Sequence, residues 1–195
     1  MIAWLAAAGL GLGLGVLTGM SVGVISAAVA QAAIANRVRF GIGVGCGGAI
    51  ADVVHASAAF AGIGHLDATW TSAMSIIAAV AILGFVAVAW RGRARPVPLE
   101  DQSSFVRGLP TGLLLTLPNP AALGAWITVA ALLWHQPYPI VVGVSVGVGS
   151  AVWFAIFARF VAVRRDHRFV RALPKIALGV LVAFAVTIAV RAGCS

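Results

Sequence analysis

The sequence predicts an all-α integral membrane protein: six transmembrane helices forming two inverted three-helix repeats, with helices 1 and 4 broken. Three observations carry this expectation. Hydrophobic residues make up 62% of the chain and charged residues only 9%, against roughly a quarter charged in soluble domains. Apolar runs long enough to cross a hydrocarbon core of about 30 Å recur six times. Two of those runs contain residues that a plain helix disfavours.

The first run, Ile2 to Ala35, would reach about 50 Å as one helix at roughly 1.5 Å per residue, so it must tilt, protrude or break. Near its middle, "TGMSVGV" places Gly19 and Gly23, each weaker in a helix than alanine by about 1 kcal/mol. Gly11, Gly15, Gly19 and Gly23 also recur every fourth residue, which makes a smooth face for close helix packing. No Lys or Arg precedes the run, and it far exceeds the apolar region of a signal peptide, about 7 to 15 residues; it is read as a retained first span.

The second run, Phe40 to Gly64, holds Asp52, the only acid well inside an apolar stretch. An ionised Asp at mid-span costs about 2.5 to 3.5 kcal/mol, so it should face the bundle interior or a wet cavity. His55 follows one turn later on the same face, close enough to share a proton or a hydrogen bond. A protonated structural Asp and a packing histidine are the plainer alternatives. Gly41, Gly43, Gly45 and Gly47, with Gly143 and Gly147 in the fifth run, suit close helix approach.

The third run is Trp70 to Trp90, and the fourth, Val106 to Leu133, contains "LTLPNP". Pro118 and Pro120 there remove two backbone donors, and Asn119 adds an amide at the same depth. A kink that only shapes the bundle is one reading; the other is an interruption from Thr116 to Pro120 whose freed backbone lines a midplane cavity. Pro139 to Val163 and Pro174 to Val190 complete the set. Hydrophobicity on all sides excludes a barrel, whose strands would alternate apolar and polar residues. Trp4, Trp70, Trp90 and Trp134 lie at run ends, as in an aromatic belt, and Gln31 and Asn36 are read as interfacial.

All 13 Lys and Arg except Arg191 fall in or beside the loops 36–39, 91–104 and 164–173. The positive-inside rule puts these loops in the cytoplasm and both termini outside. The net charge of +8 is thereby explained by topology, and no nucleic-acid partner is expected. The chain reads as one transporter-like unit, 1–195, with repeat one at about 1–90, a linker at 91–104 and repeat two at about 105–195. Laying Val22 on Pro118 brings Gly23-Val24 onto Asn119-Pro120, Leu17 onto Leu113 and Gly47 onto Gly143. An odd number of spans in each half inserts the halves in opposite senses.

The stretch "FVRGLPTGLLLTLPNPAAL", Phe105 to Leu123, resembles the Phe-x-x-Gly, leucine-rich and Asn-Pro-Lys-Ala pattern of the LysE/RhtB superfamily of bacterial amino-acid exporters. "RFGIGVGCGGAIADVVHASAAFAGIG" is similar to the second span of that family, with Ala51-Asp52 at the place of its Gly-Asp pair. Of the family's Pro-Gly-Pro in span one only Gly23 remains, and the lysine after Asn-Pro is Ala121 here. The resemblance implies export of amino acids or related small solutes across the bacterial cytoplasmic membrane, driven by a proton gradient, and a homodimer.

The resulting expectation is a secondary exporter rather than an enzyme, with a small solute and the lipid bilayer as partners and neither cofactor nor metal. Gly19, Ser21, Gly23, Ser26, Thr116, Pro118, Asn119 and Pro120 would form the substrate pathway, and Asp52 with His55 the proton or cation coupling site. A membrane thiol/disulfide carrier is an alternative, although Cys46 and Cys194 are far apart in the topology. A metal-ion exporter would have only Asp52 and His55 as ligands at membrane depth. A non-transporting scaffold would leave the buried acid and the broken helix unexplained.

Overall fold

The computed structural model describes residues 2–21, 23–62, 104–133 and 137–168, with isolated helical positions from Ile76 to Ala87 and from Val170 to Val186. The second basic loop and most of the third and sixth runs lie outside the described residues. So do Trp70, Trp90, Trp134, His65, His135, Arg191 and Cys194.

Among the described residues the elements are six helices, with no strand: α1 (Ile2–Gly19), α2 (Val24–Ile34), α3 (Val38–Phe60), α4 (Phe105–Thr116), α5 (Pro120–Leu132) and α6 (Pro139–Val163). Three of these, α1, α3 and α6, are long and apolar enough to cross a membrane. Their outward faces match hydrocarbon rather than water. On α6 the exposed side chains Val144, Val148, Val152, Ile156 and Phe160 recur every fourth residue.

The first apolar run comprises α1 and α2, separated by Met20 to Gly23. Hydroxyls attend to the backbone there: Ser21 Oγ donates to Thr18 O at 2.7 Å, and Ser26 Oγ donates to Ser21 O at 2.8 Å. In hydrocarbon such carbonyls have no water to turn to. Gly23 then opens α2 with extended backbone and no side-chain cap. In the fourth run α4 stops at Thr116 and α5 starts at Pro120. Neither proline has an N–H to give, and Asn119 O accepts from the N–H groups of Ala122 and Leu123 at 3.1 and 3.3 Å.

At the centre α3 packs along α6, while α1 lies on α6 and α4 lies on α3. Both outer crossings are made by glycine against backbone. A Cβ on Gly15 would strike Val146 O and come within 2.9 Å of Ser150 N; one on Gly112 would strike Val44 O and come within 2.8 Å of Gly48 N. In return, Gly149 abuts the carbonyl of Leu12 and the N–H of Val16, as Gly47 abuts those of Leu109 and Leu113. The crossings therefore share one pattern, in which Gly15 answers to Gly112 and the helix ends Gly19 and Thr116 coincide. The two crossings are offset by 97 residues in the chain, against the 96 that the sequence identities suggested. Of the four glycines spaced along the first run, Gly11, Gly15 and Gly19 face α6, whereas Gly23 meets nothing within 4 Å.

The described basic residues of the first and third loops gather at one end of the bundle. Arg165 Nη1 donates to Asn36 Oδ1 at 3.1 Å, joining the third loop to the first. The start of α4 lies at the same end, since a Cβ on Gly43 would strike Phe105 O. Arg37 and Arg164 spread their guanidinium groups over the rings of Phe40 and Phe160, at 4.8 and 5.7 Å from the centroids.

Candidate functional site

Where α1 gives way to α2 and α4 to α5, the bundle opens into a cavity of about 590 Å³, within the usual range of about 300 to 1,000 Å³ for small-molecule sites. The α1/α2 junction supplies Gly19, Ser21, Gly23 and Ser26, and the α4/α5 junction supplies Thr116 and Asn119. Asp52 enters from α3, Trp126 from α5 and Phe154 from α6. Among the described lining residues Asp52 is the one ionisable group, so any positive charge on a solute has a single anionic partner there.

Two donors hold the Asp52 carboxylate. Trp126 Nε1 donates to Oδ1 at 3.4 Å, and Ser150 Oγ lies 3.1 Å from Oδ2. Ser150 is fully buried, and its Oγ is also 3.1 Å from Gly15 O. A carboxylate has about four lone-pair positions, so two donors leave room for an ammonium group or a water from the cavity. Trp126, itself buried at 4% exposure, fixes one edge of the acid while its ring forms apolar wall.

His55 is placed otherwise than its spacing from Asp52 suggested. Its Nε2 is 3.1 Å from Leu117 O, and since a carbonyl only accepts, this nitrogen carries the proton. The ring is buried, does not line the cavity and bonds to the α4/α5 junction instead of to Asp52. It thereby satisfies a carbonyl next to Pro118. The two residues share a helix side in sequence, but Asp52 leans toward α6 and α5 whereas His55 leans toward α4. A direct Asp52–His55 pair is replaced by two separate structural ties.

The pathway residues divide in the same way. Ser21 and Ser26 reach the cavity, but their hydroxyl protons are already given to backbone carbonyls, which leaves only their lone pairs for a solute. Thr116 differs: its Oγ1 is buried without a partner, on a side chain only 9% exposed. A buried hydroxyl left unpaired is costly by about 1 to 3 kcal/mol, which suits a group that awaits a ligand. Asn119 is buried at the cavity edge. Pro118 is half-buried but not a wall residue, and the side chain of Pro120 is outside the described residues; both act through the backbone.

Sequence reasoning passed over Trp126, Ser150, Phe154 and Thr18. A signal existed for Trp126: it sits inside its apolar run, unlike the tryptophans at run ends. Ser150 had none, because a lone serine in a spanning helix is commonplace.

Among the described residues the chain is a helical bundle with lipid-suited outer faces and a partly polar cavity at two helix junctions, an architecture compatible with a membrane translocator of small solutes. The chain belongs to the LysE type translocator family, whose model matches residues 16–194. It is therefore an integral membrane protein. Searches among curated proteins and among solved structures find no match.

Proposed function

We propose that the protein exports amino acids or closely related ammonium-bearing solutes in exchange for protons. The observation that carries this reading is the Asp52 carboxylate opening into a cavity between two interrupted helices, with no Lys or Arg among the described lining residues to neutralise it. An ammonium group and a proton are alternative occupants of one carboxylate. Protonation from the outer side would release the solute, and a solute arriving from the cytoplasm would expel the proton. The opposite pole of an amino acid also finds partners: α2 begins at the cavity wall without a side-chain cap, and helix N-termini favour carboxylates. The unpaired Thr116 hydroxyl adds a donor.

The shared glycine crossing supports two inverted repeats, with the junctions after Gly19 and Thr116 as equivalent parts of a rocking pair. In this reading the protein lies in the bacterial cytoplasmic membrane, its basic end faces the cytoplasm, and a homodimer is carried over from the family resemblance.

Proteoliposomes loaded with a panel of labelled neutral, acidic and basic amino acids test the proposal. At least one of them leaves faster under an inward proton gradient, and Asp52→Asn removes that acceleration. Failure of every panel member to move, or an Asp52→Asn variant with unchanged response to the gradient, would refute it.

A further inference from the structure

We propose that Ser150 is a positioning residue that converts the protonation state of Asp52 into a change in how firmly α1 is tied to α6. The inference rests on Asp52 as the proton carrier and adds the part that moves in response.

Ser150 Oγ has one proton and lies 3.1 Å from each of two acceptors, Gly15 O on α1 and Asp52 Oδ2 on α3. When Asp52 is ionised it can only accept, and a charged acceptor makes a hydrogen bond roughly twice as strong as a neutral one. The hydroxyl then turns to Asp52 and gives up Gly15. When Asp52 is protonated its own O–H donates to Ser150 Oγ, and the serine proton is free for Gly15 O. A continuous chain then runs from α3 through α6 to α1. No proton leaves Ser150; the transported proton binds Asp52 from one aqueous side and departs to the other.

The location makes the switch effective. Gly15 is where α1 presses closest on α6, against the Val146 carbonyl. The next turn, with Thr18 and Gly19, is cavity wall that ends at the α1/α2 junction. Thr18 Oγ1, 2.9 Å from Leu14 O and 3.2 Å from Gly15 O, can take up the Gly15 carbonyl when Ser150 turns away. The Gly15 carbonyl thus has a second hydroxyl within reach, on its own helix. The matching α4–α3 crossing has Gly48 at the place of Ser150, so only the α1 side carries the hydroxyl.

The other ionisable groups of the described helices take no part in these hydrogen bonds. Helices α1, α2 and α5 have none, α4 has Arg107, α6 has Arg159, and α3 itself has Arg39, Cys46 and His55. The carboxylate hydrogen bonds go to none of them.

Infrared difference spectra of the reconstituted full chain, recorded across a pH titration, test the inference together with proton-driven exchange. A carboxylic acid C=O band that titrates in the wild type and vanishes in Asp52→Asn belongs to Asp52. In Ser150→Ala this band moves to higher frequency as the acid loses its acceptor, and the proton dependence of exchange falls about tenfold, the scale of a charge-assisted hydrogen bond. Ser150→Cys, which keeps the side-chain volume and a weak donor, lies between the two. An Asp52 band at the wild-type frequency in Ser150→Ala, or undiminished proton dependence, overturns the switch while leaving Asp52 as the carrier. Absence of any titrating Asp52 band overturns the carrier reading and the switch with it.

Discussion

Gly15→Ala isolates the α1–α6 crossing with the smallest available perturbation. The added methyl would strike the Val146 carbonyl and sit 2.8 Å from Val146 C and 2.9 Å from Ser150 N. All of these are backbone atoms, so no side-chain rotation relieves the contact, and the helices must separate. Overpacking of this kind costs about 1 to 3 kcal/mol, occasionally more. Alanine returns up to about 1 kcal/mol of helix propensity, so the net loss is up to about 2 kcal/mol. Gly13→Ala, two residues away with nothing within 4 Å of its Cβ, gains the propensity without the collision and serves as the control. The assay is thermal unfolding of the purified protein in detergent, read as loss of the monodisperse peak after heating, alongside vesicle efflux. Gly15→Ala should melt earlier and transport more slowly, with Gly112→Ala close behind because it meets the Val44 carbonyl in the same way. Equal stability of the Gly13 and Gly15 variants would refute the reasoning, since it would mean that the two helices do not touch through backbone at Gly15.

Thr116→Val replaces a buried hydroxyl that has no partner by a group of the same shape, so stability should hold or rise by up to about 1 kcal/mol while the apparent KM for the solute rises; a drop in Tm with unchanged KM would contradict its role. His55→Ala removes the donor to Leu117 O and should destabilise by about 1 to 3 kcal/mol, with His55→Gln recovering part of the loss, as thermal melts would report. Arg165→Ala breaks an exposed contact with Asn36 and should alter stability by less than about 0.5 kcal/mol, measured in the same melts. A fluorescent reporter that matures only in the cytoplasm, inserted after Arg165, should light up, whereas one fused at the N-terminus should not; the reverse pattern would invert the proposed orientation.

Much of the architecture was legible because it depends on chemistry that residues carry individually. A run of apolar side chains has spanning length whatever it packs against, and proline lacks an N–H wherever it stands. The helix ends at Gly19 and Thr116 accordingly stand beside the glycines and prolines that mark them in the chain. An acid amid apolar residues likewise announced that it must face inward, and Asp52 does line the cavity.

What the tertiary structure alone decided is who meets whom. Apart from α4, which carries Arg107, these helices are hydrophobic nearly all round, so no amphipathic stripe tells which face is interior. The fate of the Asp52 and His55 pair shows the consequence: helical spacing placed them on one side of α3, but neighbouring helices drew Asp52 to Trp126 and Ser150, and His55 to Leu117 O. Those partners lie on α5, α6 and the α4/α5 junction, distant along the chain, and only the crossing geometry brings them within bonding distance. The sequence by itself determined where polar groups and residues unfavourable to a helix interrupt the apolar runs, because desolvation and backbone chemistry are local; the packed bundle determined their partners, because hydrogen bonds across helices depend on rotation and register.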